Sequence, residues 1–215
     1  MTFTAHRVKV QQLLDDVKDY LKKQPAQVEW DRVNIADLGH RLVSQNQDRY
    51  IGEEAARWDV DLTPREKHFD RRISVRSPLK DAGAYLVRSQ VEGGNETFIV
   101  LWLADTSIVR KPLDGGYWHF LADARSGEPL AGADLHFFGW RQEHVRDRQF
   151  RVRTREFTIK TDEDGQAIVR GPDADAEGSL SWLITHGGEG ERLAYIGFSG
   201  MWMGQRYHDE QYNQV

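Results

Sequence analysis

The chain contains no cysteine, no long apolar run and no excess of positive charge. The absence of cysteine excludes disulfide bonds, thiolate catalysis, cysteine-ligated zinc and a cysteine-derived thioester within this sequence. No run of about 18 apolar residues is present, so the sequence predicts no membrane-spanning helix. A formal net charge of −5 does not favour binding to duplex nucleic acid.

The first ten residues also lack the apolar region of a secretory signal peptide. Two alternatives follow: a cytoplasmic protein, or a piece of a longer chain. Aromatic residues are plentiful, with seven Trp, seven Tyr and nine Phe in 215 residues. Each buries roughly 150–250 Å² on folding, which is enough for a real core. The length suits one large domain or two smaller ones.

One strong helical pattern lies near the N-terminus. Apolar residues recur at three-to-four spacing over residues 4–23, with Lys and Asp between them. The pattern predicts an amphipathic helix with Thr4 as its N-cap, ended by Pro25. We expect this helix to pack on a neighbouring domain, or to be the tail of a preceding one, rather than to bind a separate partner.

After Pro64 the apolar pattern alternates with the period of two that is typical of strands. Strands are predicted at 72–76, 84–91 and 97–103, and the last two form a hairpin closed by residues 92–95. The sequence FIVLWL at 98–103 is apolar on both sides, which predicts a central position in its sheet.

Residues 106–116 are predicted to be a linker into a second module built from short strands. The predicted strands of this module are 117–123, 130–138, 149–160, 165–170, 179–186 and 192–199. Short strands at this spacing without intervening helices indicate a β-sandwich. The predicted fold is therefore mostly β, with two tandem immunoglobulin- or fibronectin-like antiparallel sandwiches after a short α-helix. The predicted domains are 1–26 (helix), 27–106, 107–203 and 204–215 (polar tail).

The densest basic cluster, here called the arginine stripe, lies in one predicted hairpin. It consists of Arg146, Arg148, Arg151, Arg153 and Arg155. Residues 151, 153 and 155 share one strand face, and the apolar residues change face at Phe157, which predicts a β-bulge near 155–156. One interpretation is a surface for a polyanion or an acidic partner. The favoured alternatives are a charged edge strand that prevents aggregation, or a salt-bridge face between domains.

Other candidate groups favour structural roles. The sequence TDEDG at 161–165 is similar to the start of a calcium loop, but Pro172 stands where a closing Glu is needed, which favours a tight turn. His68 and Asp70 lack a third ligand, and His119 and His136 can be cross-strand neighbours. Trp140 and Trp202 follow closely on glycines and are the better exposed candidates for sugar stacking. We predict no catalytic residue, metal site or cofactor.

Three segments together resemble the macroglobulin-like domains of bacterial alpha-2-macroglobulin-type proteins. They are DTSIVRK at 105–111, DARSGEPLAGADLHFFGW at 123–140 and TDEDGQA at 161–167. The sequence PLKDAGAYLV at 78–87 is similar to the end of such a domain, and its Tyr85 is similar to the tyrosine corner of sandwich folds. The resemblance covers residues 28–200.

The resemblance implies a fragment of a large, envelope-associated protease trap, periplasmic or secreted as part of the full-length protein. In that family a bait segment is cut, the body closes on the protease, and in many members a thioester couples to it. This sequence has neither the thioester cysteine nor a recognisable bait segment. We therefore expect a non-catalytic module whose partners are neighbouring domains and, through the full-length protein, target proteases. A carbohydrate- or polyanion-binding sandwich is the alternative, and a metal-dependent hydrolase is a third hypothesis.

Overall fold

The computed structural model describes residues 1–62, 67, 72–146, 149–171, 180–188 and 192–201. It is mostly β, with three antiparallel sheets and few helices, which confirms the predicted mostly β class. No described helix is both long enough and apolar enough to cross a membrane. The strands are β1 Thr2–Val8, β2 Ile51–Asp59, β3 Gly83–Gln90, β4 Glu96–Leu103, β5 Thr106–Leu113, β6 Gly116–Asp123, β7 Asp134–Arg146, β8 Gln149–Lys160, β9 Gln166–Arg170, β10 Ser181–His186 and β11 Ala194–Gly200. The helices are α1 Val10–Lys22 and α2 Trp30–Val33, with a π-helical turn at His40–Ser44 and a 3₁₀ turn at Asp48–Tyr50.

The chain divides into two compact units. The first contains residues 1–17 and 34–104, and the second contains residues 18–33 and 105–215. The chain therefore leaves the first unit within α1, returns to it at residue 34 and leaves it again after residue 104. Residues 18–33 belong to the second unit although they precede most of the first in sequence.

The first unit contains one four-stranded antiparallel sheet in the order β2-β1-β3-β4. Residues 2–8 form its inner strand β1. The predicted start of the helix at Thr4 is therefore wrong, and the helix begins at Val10. Residues 2–8 pair with β2 on one side and β3 on the other, from Thr2 opposite Asp59 and Gln90. Because both partners are distant in sequence, local helical spacing could not reveal this pairing.

Two further predictions about the first unit are wrong. The apolar strand β4 lies at the edge of its sheet, since the described residues place only β3 beside it. Residues 72–76, predicted as a strand, have no strand assignment and are exposed. The predicted β3–β4 hairpin is confirmed, with Gln90 opposite Glu96.

The two faces of this sheet have different cores. One face carries Ala5, Tyr85 and Val87, against which Phe3 and Trp58 stack with ring centroids 5.2 Å apart. On the other face, the segment that begins the π-helical turn packs against β4. A Cβ at Gly39 would lie 3.1 Å from the Phe98 ring and 3.7 Å from Val100.

Tyr85 has the geometry of a tyrosine corner. Its ring is 1% exposed, and its hydroxyl donates a hydrogen bond of 2.9 Å to the backbone oxygen of Asp81, four residues upstream. This bond satisfies the polar end of a buried ring and ties the turn before β3 to the strand. The hydrogen bond expected of a tyrosine corner at this residue is therefore present in the structure.

The described residues of the second unit form a β-sandwich of seven strands. One sheet has the order β5-β6-β9 and the other the order β11-β10-β7-β8. Numbered within the unit, the sheets are 1-2-5 and 7-6-3-4, a connectivity of the immunoglobulin and fibronectin type. The predicted linker at 106–116 is wrong, because Thr106–Leu113 forms β5 and pairs with β6 along its whole length. A two-residue turn of Asp114 and Gly115 joins them, with Gly115 at φ 69°.

Both sheets contribute to one core in the second unit. Phe137 of β7 stacks on Phe157 of β8 at 4.6 Å, and Trp182 of β10 meets Phe157 edge-on at 5.3 Å. Burying such rings contributes most of the stability of a sandwich of this size. The buried core residues are Leu121, Leu135, Phe137, Ala167, Val169, Leu180, Trp182, Ile184 and Met201.

Trp182 lies flat against the backbone of Gly139, and this contact generates a prediction. A Cβ at Gly139 would lie 2.7–2.9 Å from three atoms of the Trp182 ring, which is 1% exposed. We expect Gly139→Ala to lower the free energy of unfolding by about 1–3 kcal/mol, the usual cost of overpacking a core. Gly200→Ala is the matched control, since a Cβ there meets nothing within 4 Å. Urea unfolding of both variants measures the difference, and equal stability would contradict it.

Candidate interaction surface

Four of the five members of the arginine stripe lie on the hairpin formed by β7 and β8. The two strands pair from Asp134 opposite Lys160 to Arg146 opposite Gln149. The predicted bulge at 155–156 is wrong, because the pairing is regular there and shifts only between His144 and Arg146. The odd-numbered residues from 151 to 159 therefore stay on one face of β8, and only those near its C-terminal end are covered by the sandwich core. Phe157 packs in the core, and Arg155 lies two positions further toward the hairpin tip on the same face.

A carboxylate lies within the arginine stripe. Glu143 pairs across the hairpin with Arg151, whose Nη2 donates to Oε2 at 2.6 Å. Arg141 donates from Nε to Oε1 of Glu143 at 2.8 Å, and Nη1 of Arg153 is 3.8 Å from the same oxygen. These hydrogen bonds, chiefly that from Arg151, lower the pKa of Glu143 to about 2. The cluster therefore has three guanidinium groups around one ionised carboxylate.

The remaining members of the stripe are dispersed. Arg155 is half-buried opposite Gly139, and Arg146 is exposed at the hairpin end. Arg148 lies outside the described residues. The structure thus brings Arg151 and Arg153 together with Arg141, which the sequence analysis did not select. Strand pairing is the missing information, since residue 141 faces residue 153 only in the folded hairpin.

Trp140 is buried, which corrects the prediction of an exposed stacking platform. It is 6% exposed and packs edge-on against Trp30 at 6.0 Å and Phe198 at 6.1 Å. Residues 18–33 cover this face of the sheet, where Lys22 also forms a 2.6 Å ion pair with Glu156. A side chain covered in this way has no free ring face for a sugar. Trp202 lies outside the described residues.

The position of β8 agrees with one of the favoured interpretations of the stripe. β8 is an edge strand of its four-stranded sheet among the described residues. Arg151 and Arg153 are 60% and 42% exposed along that edge. Charged side chains on an edge strand discourage pairing with a second chain, because pairing would desolvate them.

Histidines 119 and 136 are not cross-strand neighbours, since they lie in different sheets. His136 Nδ1 is 2.9 Å from Thr158 Oγ1 on β8. His119 faces the sandwich core, fully buried, with its ring edge-on to Phe137 at 5.2 Å. Neither ring nitrogen of His119 has a well-aligned hydrogen-bond partner among the described residues. His68 and Asp70 lie outside that part of the chain.

The TDEDG segment is a tight turn, as predicted. Gly165 N–H donates to the backbone oxygen of Asp162 at 3.1 Å, and Asp162 N–H donates to the backbone oxygen of Gln166 at 2.8 Å. The side chain of Asp162 accepts two further backbone N–H groups, from Asp164 at 3.0 Å and Gln166 at 2.8 Å. One oxygen of this carboxylate is therefore used within the turn.

A small cavity that was not predicted lies on the outer face of the sheet β11-β10-β7-β8. Its volume is about 160 Å³, and Lys18, His136, Glu156 and Thr158 contribute its polar groups. Ligand pockets usually enclose about 300–1,000 Å³, so this cavity suits a few water molecules rather than a substrate. Lys18 comes from residues 18–33, which explains why strand patterns did not indicate the cavity.

His119 generates a prediction about pH. Burial, with a smaller effect of Arg110, lowers the pKa of His119 to about 4; the nearby backbone of Ala167 and Tyr117 offsets this only in part. In the unfolded chain the pKa is about 6.5, so on acidification from pH 6.5 to 4 the unfolded state binds the proton first. The histidine's contribution to stability is therefore full above pH 6.5, and roughly 3 kcal/mol is lost by pH 4.

His119→Leu removes this titration, and we expect it to reduce the loss of unfolding free energy between pH 7 and pH 4. Urea unfolding at both pH values, on the wild type and the variant, measures the effect. His136→Asn serves as the control, and it should retain the wild-type pH dependence. If wild type and His119→Leu lose the same free energy on acidification, His119 is not the group responsible.

Comparisons of the chain with protein-family models, curated proteins and solved structures found no match. The resemblance to macroglobulin-like domains therefore rests on the motifs of this sequence. The described geometry adds an antiparallel sandwich and the place of each motif within it.

Proposed function

We propose that this chain is a non-catalytic structural and interaction module of a large alpha-2-macroglobulin-like protein that traps proteases. The observation that supports this most directly concerns the segments that carry the resemblance. The segment DTSIVRK at 105–111 lies almost entirely in β5. The other two segments each contain a turn, and they are called the first motif (123–140) and the second motif (161–167). The two motifs lie side by side and form one hydrogen-bonded end of the sandwich. Their polar groups serve the fold, as is expected of a scaffold domain.

The first motif is the turn after β6. Asp123 Oδ1 accepts the backbone N–H groups of Arg125 and Ser126, each at 2.9 Å. These bonds, together with an ion pair from Arg192 at 2.8 Å, hold the pKa of Asp123 well below its usual range. Gly127 takes φ 77°, a conformation that favours glycine, and its N–H donates to the Asp123 backbone oxygen at 2.9 Å. The Asp and Gly of this motif therefore shape a turn.

The second motif begins at Thr161, directly after β8. Its hydroxyl donates to the backbone oxygen of Leu130 at 2.6 Å and accepts the N–H of Ala133 at 2.9 Å. Its own N–H donates to the Ala133 oxygen at 2.9 Å. Thr161 is 4% exposed, so these bonds satisfy a buried polar side chain. They also join the second motif to the first.

Gly165 completes the junction between the motifs. Its backbone oxygen accepts the N–H of Leu121 at 2.9 Å. A Cβ at this position would lie 2.6 Å from the Leu121 oxygen and 2.8 Å from Pro129, and its φ is 69°. Only glycine fits such a close approach without displacing the backbone. The motifs thus specify a rigid end of a sandwich.

A rigid sandwich of this kind suits the positioning of other domains. We propose that its partners are neighbouring domains of the same polypeptide, and that it meets target proteases only as part of the full-length protein. The proposed location is the cell envelope, the periplasm or the exterior of a bacterium. Trapping would depend on segments other than these 215 residues, since this sequence contains no thioester cysteine.

The proposal predicts a difference between this chain and the longer polypeptide that its flanking coding sequence specifies. The longer polypeptide should block cleavage of a large protein substrate while leaving a short peptide substrate accessible, because a closed trap excludes only large molecules. The 215-residue chain alone should inhibit neither reaction. Residual protease activity toward both substrates is the measurement.

Two results would overturn this assignment. One is potent inhibition by the 215-residue chain by itself. The other is flanking sequence that encodes no further sandwich domains. A longer polypeptide carrying Gly165→Val is a useful control, because it disturbs the motif junction while leaving every other segment intact. It should lose trapping together with thermal stability.

The three guanidinium groups around Glu143 favour a second candidate function, binding of a polyanion. The guanidinium groups of Arg141, Arg151 and Arg153 each lie within 4 Å of the Glu143 carboxylate, and Arg151 is 60% exposed on this hairpin face. Such binding would be mainly electrostatic and would weaken with salt.

The test of this candidate is heparin affinity chromatography of charge variants. Arg151→Gln with Arg153→Gln should elute at lower salt than the wild type, and Glu143→Gln should elute at higher salt. The control pair is Arg57→Gln with Arg88→Gln, which removes the same charge from strands of the first unit, where each Arg pairs with a Glu. Equal elution of the two double variants would refute a specific role of the hairpin.

A further inference from the structure

The edge strand β4 is unusual because nearly all of its side chains are apolar. Residues 98–103 are six consecutive apolar residues, FIVLWL, and the strand carries a single charge, Glu96, at its start. Ile99 is 58% exposed. The pairing of β4 with β3 is regular along all eight residues, without a bulge. The described residues place no strand along the other side of β4.

The other edge strands among the described residues each have a recognised protection against further pairing. β2 carries four charges, Glu53, Glu54, Arg57 and Asp59, and its pairing with β1 is irregular. β5 contains a proline at 112 beside two basic residues. β8 carries Arg151, Arg153 and Arg155 of the arginine stripe. Charges, prolines and irregular pairing are the devices by which edge strands avoid other strands.

The two remaining edges are short or irregular. β9 has five residues. β11 pairs irregularly with β10, and Arg110 of β5 donates to Ser199 of β11 at 2.8 Å. β4 is therefore the long edge strand in the described part of the chain that lacks any such protection. A strand of this kind presents a row of backbone donors and acceptors to an incoming strand.

The charge distribution of β4 favours a second copy in an antiparallel arrangement. Parallel pairing in register would bring two Glu96 side chains together. A twofold axis near Val100 would instead separate them by about 26 Å, at about 3.3 Å per residue. In that register Ile99 faces Leu101 and Phe98 faces Trp102 of the other copy. Apolar cross-strand pairs of this kind are stabilising, and the contact is self-complementary.

We infer that β4 is a homodimerisation edge, at which two copies of this chain pair β4 with β4 in an antiparallel manner. The two four-stranded sheets of the first units then form one continuous eight-stranded sheet. Backbone hydrogen bonds along the edge supply the affinity, and the apolar side chains of residues 98–103 set the register. This inference stands independently of the protease-trap proposal.

Sedimentation equilibrium of the 215-residue chain over 1–200 µM tests the inference. The expected result is a reversible monomer–dimer equilibrium without larger species, because a twofold contact closes on itself. Ile99→Lys should weaken the dimer at least tenfold, since it places two ammonium groups near the axis. Ile168→Lys is the matched control, an exposed isoleucine on edge strand β9 of the other unit, and it should leave the dimer unchanged.

Charge complementation sharpens the test. Ile99→Lys and Ile99→Glu should each be monomeric alone, and a 1:1 mixture should form a heterodimer, because opposite charges then meet across the axis. Circular dichroism and thermal melting confirm that both variants are folded. A wild-type chain that remains monomeric at 200 µM overturns the inference. In that case hydrogen exchange at residues 98–103 would show whether another segment covers the edge, by slow exchange of the outward amides.

The inference is equally refuted if Ile99→Lys dimerises as well as the wild type, or if Ile168→Lys weakens the dimer to the same extent. Failure of the mixture to associate would also exclude the proposed antiparallel register. These outcomes do not bear on protease trapping, which is measured on the longer polypeptide.

Discussion

Backbone hydrogen bonding at sheet edges is the constraint on which the rest of this structure depends. Each of the three sheets ends in strands whose outer N–H and C=O groups need water, a cover or another strand. The three arginines on β8, the proline of β5 and the irregular pairing of β2 are separate solutions to the same problem. Features that resemble binding motifs in the sequence, above all the arginine stripe, therefore have a physical cause before any ligand is considered.

The sequence reveals elements where local signals agree with the fold. β8 has the bounds that its alternating pattern predicts, 149–160, and the turn marked by Asp164-Gly165 follows it. β5 was missed although Asp114-Gly115 is a strong hairpin signal, because its Arg, Lys and Pro are typical of a linker. Those residues are equally typical of an edge strand, and only its pairing with β6 distinguishes the two.

For the candidate surface, too, local sequence patterns reveal only part of the arrangement, and strand pairing decides the rest. The common face of Arg151 and Arg153 follows from the period of two and is local information. The central place of Glu143 depends on strand register, which is set by pairing across the hairpin. The burial of Trp140 depends on Trp30, more than a hundred residues earlier, in a segment that folds with the second unit. No local pattern predicts a contact of that range.

The distribution of polar groups bears on how such a module can evolve new contacts. At the motif end of the sandwich, Asp123, Thr161 and Asp162 are engaged by backbone groups, so substitution there disturbs the fold. Along β8 the charged side chains lie on an exposed edge, where substitution changes charge at little cost in stability. Specificity for a partner can therefore change at the edge strands while the motif end keeps the two sheets together. A scaffold domain of the proposed kind needs this separation, since it must keep one shape while its neighbours differ.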